Sequence, residues 1–371
     1  MRLLLAGVLL LTAWSGGRLE AQTTAAPQGA AKAPEPWPDA AALRERRLTA
    51  EGRPLFSSTE PVTFRLIADF RAVQGDRNPQ STRTYPATLV VSRSDGSDAS
   101  IPMRIRTRGH SRRRPTSCTF APLRLEFDGD TTGTIFEGQR ALKLGVHCRD
   151  AVDYEQYVLR EYAVYRLFNV LTPRSFRARL AQATYVNAGN KRVIGTRNAL
   201  FLEDDDDVAR RLEGRVADVM KMMFPHVHGE TITLLTLFAY MIGNTDMSMY
   251  GLHNIRLVRT SDNVLYPVPY DFDYSGLVNT RYSRPDPQLP IKTVRQRLYR
   301  GPCHSAETLQ PFFARLRAAR TELMAVYDAV PGLEAGYRRD AREYLDEFFR
   351  AIDRPGDVRR AFIDNCTRGG M

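Results

Sequence analysis

Alternation of apolar and polar positions dominates the chain between residues 61 and 148. Residues 62–70 and 87–92 are β-branched runs bounded by turn formers, and 101–108 and 122–127 alternate, so each is predicted as a strand. Residues 141–148 alternate most informatively. Leu142, Leu144, Val146 and Cys148 point one way, and Ala141, Lys143, Gly145 and His147 the other. Residues 153–171 read as a long helix, with Asp153 as its N-cap and Pro173 beyond its end. Two strands follow, 178–185 and 193–202, joined by a turn at 187–190. The segment 231–242 is apolar nearly all round, which predicts a buried helix ended by Gly243. A hairpin is predicted from strands 255–259 and 264–270 around a turn at 261–263, and the chain reads as helical from Ala306 on.

At the N-terminus the pattern is different in kind. Arg2 precedes an apolar run over 3–14, and small residues near Ala21 suit signal-peptide cleavage, so 1–21 is read as an export signal. Residues 22–45 are a spacer rich in Ala and Pro. No segment is long enough to span a bilayer, so a soluble protein of the periplasm, cell envelope or extracellular space is expected, with no transmembrane segment. The 371 residues carry 53 Lys and Arg against 42 Asp and Glu, a net charge of +11. Removing the signal, with Arg2 and Arg18 against Glu20, leaves +10. Such an excess favours an acidic or phosphorylated surface partner; it specifies no nucleic acid. In an oxidising compartment the four cysteines allow three pairings. Cys118 with Cys148 and Cys303 with Cys366 are expected, because the first two lie in neighbouring strand-like segments and the others bracket the C-terminal helices.

The order of elements is strands, one helix, two strands, an acidic turn, a buried helix, a hairpin and more helices. That is the order of an α+β, atypical bilobal protein-kinase-like fold, with a strand-rich N-terminal lobe (55–205) and a helical C-terminal lobe carrying the catalytic hairpin (206–371).

Phosphoryl transfer needs a positioning carboxylate, oxygen ligands for a cation and a lysine held by an acid. Asp246 follows the buried helix, where a rigid helix end would fix it as catalytic carboxylate. Asn254 opens the hairpin, and Asp271 and Asp273 close it; these three are the candidate Mg²⁺ or Mn²⁺ ligands. Lys143, on the non-aliphatic face of its strand, and Glu161, on an apolar helix stripe, stand 18 residues apart and are expected to pair in a nucleotide cleft. Six arginines fall within residues 104–114, Arg108 among them, and suit the clamping of phosphates. His226 and His228 alternate like metal ligands without a third at a known spacing, and the acidic run 203–207 reads as a solvated turn.

These motifs resemble a known family. Arg106-Thr107-Arg108-Gly109-His110-Ser111, the strand 122–127, the Gly243-Asn244-Thr245-Asp246 loop, His253-Asn254 and Pro269-Tyr270-Asp271-Phe272-Asp273 look like the spore coat protein H (CotH) family of secreted atypical protein kinases, over roughly residues 60–300. The resemblance implies a reduced kinase-like fold using ATP and a divalent metal to phosphorylate protein hydroxyls, mostly serine. By position, Asp246 matches the catalytic aspartate, Asp271 the metal-binding aspartate and Asn254 the amide before it. Lys143 and Glu161 match the general kinase layout, and Arg108 opens the counterpart of the family's RGNS-like motif. Two departures stand out: there is no GxGxxG loop, and Asp246 and Asn254 are eight residues apart. The expected function is a secreted CotH-like kinase acting on an exported protein; the alternative is an inactive binding or structural protein of the cell envelope.

Overall fold

The alternating strands form as expected. In a computed structural model, which describes residues 35–368, they are β1 (Val62–Ala68), β2 (Tyr85–Ser92), β3 (Asp98–Thr107), β4 (Leu123–Phe127), β5 (Ala141–Gly145), β6 (Ala178–Asn187) and β7 (Val193–Leu202). Phe64 and Leu66 of β1, Ile101, Met103 and Ile105 of β3 and Leu142 and Leu144 of β5 are buried together in one apolar interior. The export signal and most of the spacer lie outside the described residues. The first described helix, α1 (Ala40–Glu51), begins within the segment read as spacer, because the Asp39 side chain accepts the N–H of Ala42 and caps it. A short α2 (Phe70–Gly75) follows β1, capped by Asp69.

Closure of the strands overturns the expected bilobal kinase-like fold. The order is β1-β2-β3-β4-β5-β7-β6, and β6 returns to pair with β1 in parallel, with Val62 opposite Ala181 and Ala68 opposite Asn187. The other barrel pairs are antiparallel. The result is a seven-stranded mixed barrel without a free edge.

Nor is the remainder a helical lobe. After the 20-residue α3 (Val152–Leu171) and the barrel's last strand come α4 (Asp205–Arg211), β8 (Gly214–Val216), α5 (Gly229–Ile242), β9 (Ile255–Thr260) and β10 (Leu265–Pro269). The predicted hairpin β9–β10 gains β8 as a third strand, in the order β10-β9-β8. The helices α6 (Ala306–Ala318), α7 (Arg320–Ala329), α8 (Ala335–Ile352) and the one-turn α9 (Pro355–Val358) complete the chain. One core takes in Leu159 and Phe168 of α3, Leu200 and Leu202 of β7, Phe238 of α5 and Phe348 of α8. The barrel is thereby fastened to the helices through α3.

Local chemistry accounts for two differences of detail. Helix α3 starts at Val152 after Ala151, and Asp153 lies in its first turn, where it pairs with Arg281. Gly243 ends α5 in the left-handed region, at φ 67°, as expected of a glycine there. Both expected disulfides form, Cys118–Cys148 with Cα atoms 4.7 Å apart and Cys303–Cys366 with 4.9 Å. Among the described residues no helix is long and apolar enough to cross a membrane.

Candidate functional site

Helix α5 places Asp246. Beyond Gly243, the N–H of Asn244 returns to the carbonyl of Ala239, and Asn244 Oδ1 accepts the N–H of Asp246 at 3.0 Å. The segment that follows closes back on it. Asn254, at φ 56°, donates its amide to the Asp246 carbonyl at 2.8 Å and to its carboxylate at 3.1 Å. The other carboxylate oxygen takes His253 Nε2 at 3.2 Å, and this bond raises the imidazole pKa despite partial burial. Across the hairpin end, Tyr270 donates its N–H to the Asn254 carbonyl, and the Asp271 N–H donates to Tyr165 Oη at 2.8 Å. Asp271 is also left-handed, at φ 61°. Such backbone costs about 1–3 kcal/mol per non-glycine residue and gathers at functional sites.

On the barrel side, Lys143 lies at the middle of β5, only 5% exposed, with Nζ 4.3 Å from the Phe176 ring centre. Its ion pair is with Asp205, which also accepts Arg256 Nε at 3.0 Å. Burial, reinforced by Arg108 and Arg256 and opposed by Asp205, lowers the Lys143 pKa to about 8. Burial pushes Asp205 the other way, but the charges of Lys143 and Arg256 outweigh it and keep its carboxyl below the ordinary range.

The expected Lys143–Glu161 pair is therefore replaced. Glu161 is buried on α3 and meets Arg112, from the turn Ser111–Arg113, at 3.4 Å. Arg112 Nη2 also reaches Asp271 Oδ1 at 2.9 Å and Asp273 Oδ2 at 2.7 Å. Tyr282 donates to that same Asp273 oxygen at 2.9 Å. Asp273, expected as a metal ligand, is thus engaged by two protein donors. Its carboxyl is raised by burial, with Asp271 and Glu161 adding to the effect and Arg112 opposing it. Burial likewise raises Glu161.

The two sides meet in a cleft of about 490 Å³. Its lining mixes cations, from Arg106, Arg108, Arg124, Lys143 and Arg256, with the oxygens of Asp205, Asp246, Asn254, Asp271 and Asp273. Arg106 and Arg124 pair with Glu126, and Arg124 also with Asp204. Arg108 is different. It is half-buried, and its guanidinium has no ion pair or side-chain hydrogen bond with a described residue. A partnerless guanidinium facing a cleft is a ready anion contact. A smaller cavity of about 280 Å³, lined by Ser248, Arg284 and Arg300 among others, lies on another side of Asp246, which with His253 and Tyr274 borders both spaces.

Among the described residues no three His, Cys, Asp or Glu side chains form a metal-holding group. A mixed set remains. Because Asn254 donates through Nδ2, its Oδ1 has no donor among the described residues, and it lines the cleft with Asp271 and Asp246. Amide and carboxylate oxygens suit Mg²⁺ or Mn²⁺, with phosphate and water filling the shell. His226 and His228 do not join the site. His226 accepts the Met223 N–H, and His228 caps α5 by accepting the N–H of Thr231.

The acidic run 203–207 is an ion-pair hub rather than a solvated turn. Glu203 meets Arg177 and Arg211, each at 2.7 Å, Asp204 pairs with Arg124, and Asp207 pairs with Arg53 and Arg210. Asp205 and Arg256 are the cleft residues that sequence reasoning missed. Arg256 was visible as the polar position between Ile255 and Leu257, whereas nothing local singled out Asp205 among its acidic neighbours.

No protein-family model matches the chain, and no curated protein matches it.

Proposed function

We propose that the cleft transfers the γ-phosphoryl group of ATP, with Mg²⁺ or Mn²⁺, to a hydroxyl of an exported protein, serine by analogy with the CotH-like motifs. The carrying observation is that one cavity is lined both by the cations Lys143, Arg108 and Arg256 and by the oxygens of Asp246, Asn254 and Asp271. Polyphosphate chemistry requires both kinds of group, since cations must meet the phosphate oxygens while a carboxylate meets the acceptor.

Each residue then has a defined task. Arg108 and the Lys143–Asp205–Arg256 group receive phosphate oxygens. Asn254 and Asp271 hold the cation, which when bound neutralises charge on the phosphates. Asp246 orients the acceptor hydroxyl and takes its proton, with Asn254 and His253 fixing its carboxylate. The smaller cavity bordering Asp246 gives the acceptor a separate approach. Two disulfides support export as the setting.

One observation favours a second reading, an envelope protein of this architecture that binds anions without catalysis: Arg112 engages Asp271 directly. Incubation with labelled ATP and Mn²⁺ or Mg²⁺, without added substrate, separates the two. Incorporated label that is lost in Asp246→Asn supports transfer. Nucleotide binding without label supports the second reading, and absence of binding with every metal removes the first.

A further inference from the structure

Three carboxylates from two parts of the chain converge on a single guanidinium nitrogen. Arg112 Nη2 lies 2.7 Å from Asp273 Oδ2, 2.9 Å from Asp271 Oδ1 and 3.4 Å from Glu161 Oε2. Nε adds a second contact to Asp273, at 3.1 Å. The arginine side chain is 11% exposed and those of Glu161 and Asp273 are 8% and 5% exposed, so this is an interior cluster and not a surface pair. Asp271, at 35%, is the most exposed of the three acids and lines the cleft beside Asp273.

Buried acids brought this close together must take up protons or share a cation, and here a cation is among them. Two kinds can serve. A small divalent ion draws oxygens to about 2.0–2.1 Å, whereas a guanidinium holds them at hydrogen-bond range in directions fixed by its planar fork. The spacing here is the second kind. The guanidinium keeps its charge at all working pH and, unlike a bound ion, is tethered by the chain and cannot exchange. The tether is short: Arg112 sits in the turn Ser111–Arg113, and the next residue's guanidinium, that of Arg113, is buried against the backbone carbonyls of Asn78, Ser81 and Thr107. The loop is closed further on by Cys118–Cys148. Phosphoryl-transfer sites often place two divalent ions between their acids and the phosphates.

We propose that Arg112 is a built-in substitute for a second divalent cation, so that the cleft takes one exchangeable ion, at Asp271 and Asn254, for each nucleotide. This rests on the phosphoryl-transfer reading. Asp271 is then the shared group, giving one oxygen to Arg112 and leaving the other for the ion.

The test counts ions rather than turnover. Mn²⁺ binding to the full chain, in the presence of a non-hydrolysable ATP analogue, is measured by calorimetry and by electron paramagnetic resonance. One Mn²⁺ per chain is expected in the wild type and two in Arg112→Ala, the second lost again when Asp273→Asn is added. Arg112→Lys, which keeps a tethered positive charge, should return the count to one. If Arg112→Ala does not give a cooperative melting transition, Arg112→Gln removes the charge while keeping a donor, and the same count of two is required. Two ions in the wild type overturn the proposal while leaving phosphoryl transfer standing. A folded Arg112→Ala or Arg112→Gln that still binds one ion also overturns it. No nucleotide-dependent Mn²⁺ in the wild type overturns both this proposal and the reading beneath it.

Discussion

Asn254 holds Asp246 by two hydrogen bonds from one amide, to the carbonyl at 2.8 Å and to the carboxylate at 3.1 Å. The eight-residue separation between them is therefore no gap in the site. The intervening segment folds back through the paired Ser248 and His253, and the amide closes it.

Removing the acid and removing its holder should have separable effects. Asp246→Asn nearly preserves shape and should leave nucleotide affinity within a few-fold while lowering turnover by about a hundredfold or more. Asn254→Ala keeps the carboxylate but leaves it held by His253 alone, so turnover should fall on the order of tenfold to a hundredfold, with weaker Mn²⁺ binding as well. Autophosphorylation by mass spectrometry and calorimetry with and without Mn²⁺ distinguish these patterns. Equal turnover in Asp246→Asn and the wild type removes the proposed base.

Lys143 predicts a pH dependence of definite sign. Its folded pKa of about 8 lies below the ordinary 10.5, so between those values the unfolded chain binds the extra proton. The cost of burying the ammonium is present in full below pH 8 and is relieved as pH rises towards 10.5, so this group makes stability rise with pH in that window. Phosphate binding has the opposite sign, since it needs the protonated form. Nucleotide affinity should weaken above pH 8, by up to about tenfold per pH unit. Lys143→Met should flatten that slope and bind nucleotide about tenfold or more weakly at pH 7, with the fold intact because Asp205 keeps Arg256. An unchanged slope in the variant excludes Lys143 from the phosphate side.

What was legible in the sequence follows the range of the forces involved. Strands and the buried helix were readable because alternation and an all-apolar face are local. Barrel closure was not, since it depends on β1 meeting β6 more than a hundred residues later, in parallel, and no local pattern encodes that pairing. The same division runs through the site. Asp246, Asn254 and Asp271 stood out because they flank a helix end and a hairpin, and the structure gathers them around one cleft. Choice of ion-pair partner was hidden. Lys143 met an acid from the 203–207 run, and Glu161 met an arginine from the 104–114 run, because charge composition does not say which member of a run turns inward.

The disulfide Cys118–Cys148 joins the loop that carries Arg112 to the segment between β5 and α3. Non-reducing peptide mapping should yield this linkage and Cys303–Cys366 with no free thiol. Replacing both Cys118 and Cys148 by Ser should lower stability by about 2–4 kcal/mol in urea denaturation, as expected for a crosslink over a loop of this size. A loss well under 1 kcal/mol means that the Arg113 and Arg112 contacts alone hold the loop.

Gly243 tests whether the end of α5 sets the position of Asp246. It stands at φ 67°, and a Cβ there would lie 2.1 Å from Tyr344 Oη and 3.1 Å from the Val294 carbonyl. Alanine thus meets two penalties, the left-handed backbone and overlap with α8. Gly243→Ala should lose about 2–4 kcal/mol of stability. Relief requires the chain to shift at Asn244, whose Oδ1 accepts the Asp246 N–H, so turnover of the remaining folded protein should fall too. The control is Gly229→Ala at the other end of the same helix, where an added Cβ meets nothing within 4 Å. That variant should be as stable as the wild type or gain up to about 1 kcal/mol, with turnover unchanged. If Gly243→Ala, measured by thermal melting and by turnover per folded molecule, loses stability but keeps full turnover, then the helix end supports the fold without positioning Asp246.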